Sequence, residues 1–233
     1  MSDRFTGFRP EALAFLVELA LNNERSWFQP RKADYEALLK EPLERLCAAL
    51  DQELRGRGIP LAADPARSPF RIYRDVRFSR DKSPYKTNVG ASFPWSGEGG
   101  GVGGYFHLEP GATFVGGGMW HPAPARLAAW REAVVGDRAA VRGALEDPGF
   151  RATYGAVYGD RLKRAPAGFA ADDPDIELLQ LKDVIFRAPL AEEDVFAPDL
   201  PARLASMLGN AVPVLGLLAG LPGLEPSGGH TRD

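Results

Sequence analysis

The sequence is poor in the residues that usually announce chemistry. It holds one cysteine, Cys47, and three histidines, so no internal disulfide can form and no recognisable zinc pattern can be assembled. No metal site is expected, and no cofactor is indicated. Nucleophile-elbow and phosphate-loop signatures are missing. Long apolar runs are missing too: residues 212–221 are interrupted by Pro213 and two glycines and fall well short of the roughly 20 residues of a spanning helix. No membrane span is expected. The start, Met1-Ser2-Asp3-Arg4, shows no basic stretch followed by an apolar run, and with one cysteine a reducing, cytoplasmic location is the expectation. A large positive excess is also lacking. The net charge of −3 argues against a general coat for nucleic acid, so an anionic partner has to be met by a local patch.

What is present is ordinary globular material, 233 residues with 45% hydrophobic and 25% charged side chains, enough apolar surface to offset the ordering entropy of the chain. One domain over residues 1–221 is expected, with a disordered tail at 222–233. Pro10 suits a helix start, with Leu13, Leu16 and Ala20 at helical spacing and Phe8 stapling the entry. Asn22-Asn23 reads as a break and a new N-cap before an aromatic-rich helical stretch through Trp27, Phe28, Tyr35 and Leu38. Pro42 opens a third helix, whose stripe Leu43, Leu46, Leu50 and Leu54 faces the core. Short apolar runs at residues 70–78, 89–93, 105–109 and 112–120 then predict a strand meander, with Pro110-Gly111 as a hairpin turn. Helices resume at Pro124 and over residues 138–145, where Asp147-Pro148-Gly149 reads as a stop. A capped helix at 175–182, a strand at 184–187 and a helix at 200–208 complete the pattern. The fold class is α+β, a central mainly antiparallel sheet flanked by N-terminal and C-terminal helices.

Some motifs are decoys. Gly99, Gly101 and Gly104 satisfy G-x-G-x-x-G, but Tyr105 to Leu108 reads as strand where a dinucleotide site needs a helix, so a flexible loop is expected. Gly116-Gly117-Gly118 marks close backbone approach, by tight packing or by a ligand. His107 and His121 read first as hydrogen-bonded structural histidines and second as acid–base groups. Cys47, beside the leucine stripe, reads as a small packed hydrophobe.

The densest signal runs from Arg71 to Lys86, where six basic and two acidic residues give a local charge of +4 and leave −7 for the rest. On a strand, Arg71, Tyr73, Asp75 and Arg77 share one face, and Arg74 falls among Ile72, Val76 and Phe78. Arg74 is therefore expected to be buried against a carboxylate. Arg71 and Arg77 can present donor forks to a phosphate or carboxylate with Asp75 orienting one of them, and Lys82 and Tyr85 follow in a turn bent by Pro84.

The run Arg71, Arg74, Asp75, Arg77, Phe78, Asp81, Lys82 and Tyr85 resembles the signature of the bacterial domain-of-unknown-function family numbered 2461. The similarity extends over about residues 5–221 and takes in Asn22-Asn23, Trp27-Phe28, Trp120-His121-Pro122, Leu162-Lys163-Arg164 and Leu181-Lys182. It implies no activity and no catalytic residue.

Three readings stand open at this point: a site for a small anionic ligand at Arg71, Asp75, Arg77, Lys82 and Tyr85, a structural ion-pair network, and a nucleic-acid-binding module. The first is preferred, and the acidic remainder of the chain counts against the last. No reaction is assigned.

Overall fold

The computed structural model describes residues 4–77, 79–97 and 100–222; Phe78, Gly99 and the tail from residue 223 onward lie outside the described residues. Its centre is a four-stranded antiparallel meander, β1 (Val89–Pro94), β2 (Val102–Leu108), β3 (Phe114–Met119) and β4 (Val184–Pro189), in that spatial order. Register separates the faces. Ala91 pairs with Phe106, and Phe106 with Val115, which in turn meets Ala188, so these four side chains project to one side and all are buried. The alternate residues, Gly90, His107, Phe114 and Pro189, form a row on the other side.

The N-terminal helices are α1 (Pro10–Leu21), α2 (Arg25–Phe28), α3 (Lys32–Tyr35) and α4 (Glu41–Gly56). Pro30 turns the chain between α2 and α3 through a 3-10 segment, since it cannot donate to a regular helical ladder. The α4 stripe Leu43, Leu46, Leu50 and Leu54 is buried as its spacing demands, with Cys47 beside it. Phe8 stacks on Phe106 of the sheet at 6.3 Å, and its amide donates to Val195.

C-terminal to β3 come α5 (Pro124–Gly136), α6 (Arg138–Leu145), α7 (Pro148–Tyr154), α8 (Ile176–Leu179), α9 (Glu192–Phe196), α10 (Leu200–Asn210) and α11 (Val212–Ala219). Asp147-Pro148-Gly149 follows the end of α6 at Leu145, as expected, and also starts the next helix: the Asp147 carboxylate accepts from Phe150 N, and Pro148 occupies a first-turn position. Phe150 and Tyr154 from that helix pack on Phe186 at 5.2 and 4.6 Å. The apolar run at 212–219 is helical as well, because Pro213 falls in the first turn, where no amide hydrogen is needed. It meets α10 at a 58° bend, and both helices bury their apolar sides in the core. Among the described residues no single helix is long and apolar enough to cross a membrane. Buried Arg126 donates to the Leu218 carbonyl at 2.6 Å, placing a cation at the C-terminal end of α11.

Two expectations need correction. Residues 70–77 form no regular strand: the chain meets the edge of β1 through the Pro69–Ala91 bridge and the Phe70 N to Gly90 O bond, and Tyr73 then bridges Tyr85 within the same segment. Pro69 has no amide to donate, and charged pairs within the segment close it into a loop. The glycine-rich connection is also shorter than expected, since β2 begins at Val102. Gly104 lies inside that strand and no helix follows, which removes the geometry a dinucleotide fold requires.

The β3 glycines answer to backbone proximity. A Cβ at Gly118, whose φ is +121°, would stand 2.2 Å from the Val184 carbonyl oxygen, and one at Gly116 would stand 2.3 Å from that of Phe186. Strand β4 occupies the space where those side chains would be.

Burial pushes the Cys47 thiol up to about 12, with Glu44 and Asp64 adding to the shift. Labelling by a thiol reagent at neutral pH should therefore proceed only through unfolding, at a rate that rises with denaturant. Rapid labelling of the folded protein would contradict this packing.

Candidate functional site

The segment from Tyr73 to Asn88 leaves the sheet edge, turns and returns beside itself. Arg74 N donates to Pro84 O at 2.9 Å and Lys86 N to Ile72 O at 2.7 Å, a short ladder that brings the two ends of the basic motif together. Asp81 turns the chain by accepting from Ser83 N at 2.9 Å and pairs with the Arg74 guanidinium. Asp75 receives Arg77 three ways: backbone N at 3.0 Å, Nε at 3.0 Å and Nη2 at 2.6 Å. Lys82 Nζ donates to Val76 O at 2.8 Å.

This loop is fastened to the helices by Asn23. Its amide oxygen accepts from Tyr85 N at 3.0 Å and its amide nitrogen donates to Tyr85 O at 2.9 Å, the pair of bonds a neighbouring strand would make. Asn22, not Asn23, finishes α1, with its own side chain donating to Glu18 O; the residue before α2 is Glu24, which makes no side-chain cap. Tyr85 is buried, stacked at 4.0 Å on Phe28, and its hydroxyl has no hydrogen-bond partner among the described residues.

Between the loop and the end of α1 lies a cleft of about 350 Å³. Its wall is mostly polar: Asn23, Ser83, Thr87 and Asn88 supply neutral groups, and the Arg74–Asp81 pair and Lys86 supply charge. Lys86 is half-buried, and its pKa is lowered by that burial first and by Arg71 second. Among the described residues its ammonium meets no carboxylate; its recorded partner is the Phe70 ring, 5.4 Å away.

The residues singled out from the sequence are thus divided. Tyr85 borders the cleft, and Arg71 acts on Lys86 through its charge. Arg77 and Asp75 face each other, and Lys82 holds the loop backbone. Arg74 has its acidic partner, yet the pair is not buried: the side chains are 29% and 57% exposed, because the expected strand parity does not apply to a loop. Its loss should cost correspondingly less than breaking a buried pair.

Two residues not singled out from the sequence are Asn23, as a clamp, and Lys86, on the wall of the cleft. The doubled asparagine at a helix end was the one available signal for the former, and a cap explained it equally well. For the histidines, neighbours are decisive. His107 Nδ1 lies 3.0 Å from the Tyr105 hydroxyl and Nε2 lies 2.9 Å from Glu109 Oε2, a half-buried relay along one face of β2. Gly90 makes room for it, since a Cβ there would stand 2.6 Å from the Tyr105 hydroxyl. Burial, with Glu109 adding to it, pushes the Tyr105 phenol up to about 12. His121 has a φ of +46°, its amide donates to buried Asp183 at 2.6 Å, and its ring packs on exposed Trp120.

Helices on one face of an antiparallel meander, with a basic loop clamped at its edge, define an α+β protein with a polar edge cleft. The model of the family described as "Conserved hypothetical protein (DUF2461)" matches residues 11–216, most of the chain, and the protein belongs to that family. No curated protein and no solved structure matches it. The family segments fit together in space: Arg161 bridges Leu181, and Leu162 N donates to Gln180 O.

Two measurements test the clamp and the loop. Asn23→Ala removes both bonds to the Tyr85 backbone at a half-buried position and should lower stability by about 1–3 kcal/mol in urea denaturation. The Arg77 hydrogen bonds, side chain before backbone, hold Asp75 down at about 2. Because the folded pKa lies below the unfolded value of ~3.9, the stabilisation is complete above that value and is lost as pH falls towards ~2. Carboxyl titration by NMR should place Asp75 below ordinary aspartates, and Arg77→Ala should return it to the normal range.

Proposed function

We propose that this protein binds a small anion bearing a phosphate or carboxylate in the cleft beside the basic loop. The observation that carries the reading is Lys86: a half-buried ammonium on a polar wall, with an aromatic ring as its recorded partner and no carboxylate among the described residues. A cation so placed gains more from an anion than an exposed lysine would, because burial weakens its hydration. Arg74 is the second cation. Its Nη1 engages Asp81, and its planar fork has further donors to offer. Asn23, Ser83, Thr87 and Asn88 supply neutral hydrogen bonds around the ligand.

Of the residues first singled out, Tyr85 forms part of the wall and Arg71 sets the field at Lys86. Asp75, Arg77 and Lys82 keep the loop in shape. The proposal is one of binding, and no reaction is assigned.

The test is thermal unfolding in orthophosphate and, separately, in citrate. A ligand at about a hundred times its dissociation constant stabilises by about 2.7 kcal/mol, a shift of several degrees for a chain of this size. Lys86→Met and Arg74→Ala should lose the shift, and Arg77→Ala should keep most of it. Affinity should decline with rising pH from below the usual lysine range, since the ammonium loses its proton early. Equal shifts in wild type and Lys86→Met would refute the cleft as the site.

A further inference from the structure

The sheet has a second face, whose side chains in β2 and β4 are half-buried or exposed where those of the first are buried. Along β2 the buried residues Val102, Gly104, Phe106 and Leu108 alternate with half-buried Gly103, Tyr105 and His107, as expected when only one side of a strand is covered. The segment before the basic motif extends this face beyond β1, since Phe70 N donates to Gly90 O, and Tyr158 extends it beyond β4 through paired bonds with Ile185. From Phe70 to Tyr158 the surface therefore crosses six extended segments, about 24 Å at the usual interstrand spacing.

Aromatic rings recur along that span. Phe70 is 41% and Tyr158 39% exposed, whereas most large apolar side chains of this protein are buried. Between them Tyr105 lies 5.9 Å from Phe70 and 5.7 Å from Phe114. Cations stand among the rings. The Lys86 ammonium is over Phe70, and the exposed Arg187 guanidinium is 5.5 Å from Phe114 and 5.8 Å from Tyr158. Among the described residues neither cation has a recorded carboxylate partner, although the chain as a whole is acidic.

We propose that this face binds single-stranded nucleic acid, with bases stacking on Phe70, Tyr105, Phe114 and Tyr158 and phosphates meeting Lys86 and Arg187. Rings alone would suit an apolar partner. The interleaved cations, placed towards both edges of a wide surface whose Glu109 carboxylate is engaged by His107, complement a partner that alternates flat rings with negative charge. A duplex does not fit this chemistry, because its bases are already stacked on one another. The surface shares Lys86 with the edge cleft, but Phe70, Arg187 and Tyr158 do not border that cleft, so the two sites can fail independently.

Fluorescence anisotropy of the full chain with labelled oligo(dT) and oligo(rU) about 12 nucleotides long, within the site-size range of such platforms, tests the proposal. Binding should weaken steeply between about 50 and 200 mM salt and should exceed binding to a duplex of equal length. Phe70→Ala and Tyr158→Ala, both at exposed positions, should each lower affinity by roughly fivefold to a hundredfold, and Arg57→Ala, at the end of α4, should leave it unchanged. Saturating orthophosphate should compete weakly at most, since it offers no base to stack. Absence of binding at low salt overturns the proposal. So does binding that is indifferent to both aromatic substitutions, or equal for duplex and for heparin, which would reflect general attraction of polyanions.

Discussion

The arrangement of the basic motif depends on one side-chain amide. Asn23 gives Tyr85 the acceptor and donor that a neighbouring strand would have supplied, and thereby ties the helical corner between α1 and α2 to a loop that has no regular secondary structure. Without it, the Tyr85 backbone would be half-buried with its polar groups unpaired, a state that favours withdrawal of the loop into water. The stacking of Tyr85 on Phe28 works in the same direction, because the ring cannot reach the helical aromatic cluster unless its backbone is brought alongside. Cleft, basic loop and aromatic cluster thus share a single anchor.

Charge in the loop follows a consistent division. Two arginines of the loop are matched by aspartates two and seven residues away, Arg77 with Asp75 and Arg74 with Asp81, and Lys82 is taken up by a backbone carbonyl. Such local pairs at exposed positions contribute little to global stability, but they restrict the loop to one shape. Lys86 is different. It has passed the end of the loop, lies against the sheet edge, and faces a ring and a polar wall. Among the six basic residues of this stretch, Lys86 therefore meets no carboxylate among the described residues, Arg74 pairs with Asp81, and Arg77 and Lys82 shape the loop.

The sheet divides the molecule in a comparable way. One face is sealed by helices from both ends of the chain: Phe8 from the N-terminal arm and Phe150 and Tyr154 from α7 all reach it. The other face carries the Tyr105–His107–Glu109 relay and a line of partly exposed rings. Glycine in β1 and β3 serves this asymmetry, letting β4 approach closely on one side and the Tyr105 phenol lie across Gly90 on the other.

The sequence by itself determined the α+β class, the locations of β1 to β4 and the buried stripe of α4, because periods of two and of three to four are local consequences of backbone geometry, but it put residues 70–78 in the meander where the structure has β4. It determined the family through the basic motif and its companions. Tertiary structure decided which side chains of that motif face one another. Parity assigned Arg74 to a buried strand face, but beyond Phe70 the Asp75 and Asp81 turns close the segment on itself, and parity has no meaning in a loop. Asn23 and Tyr85 are 62 positions apart, and Phe70 and Tyr158 lie at opposite edges of the sheet. Such meetings are set by how helices and strands pack, and packing depends on the whole chain at once, which is why no window of the sequence contains them.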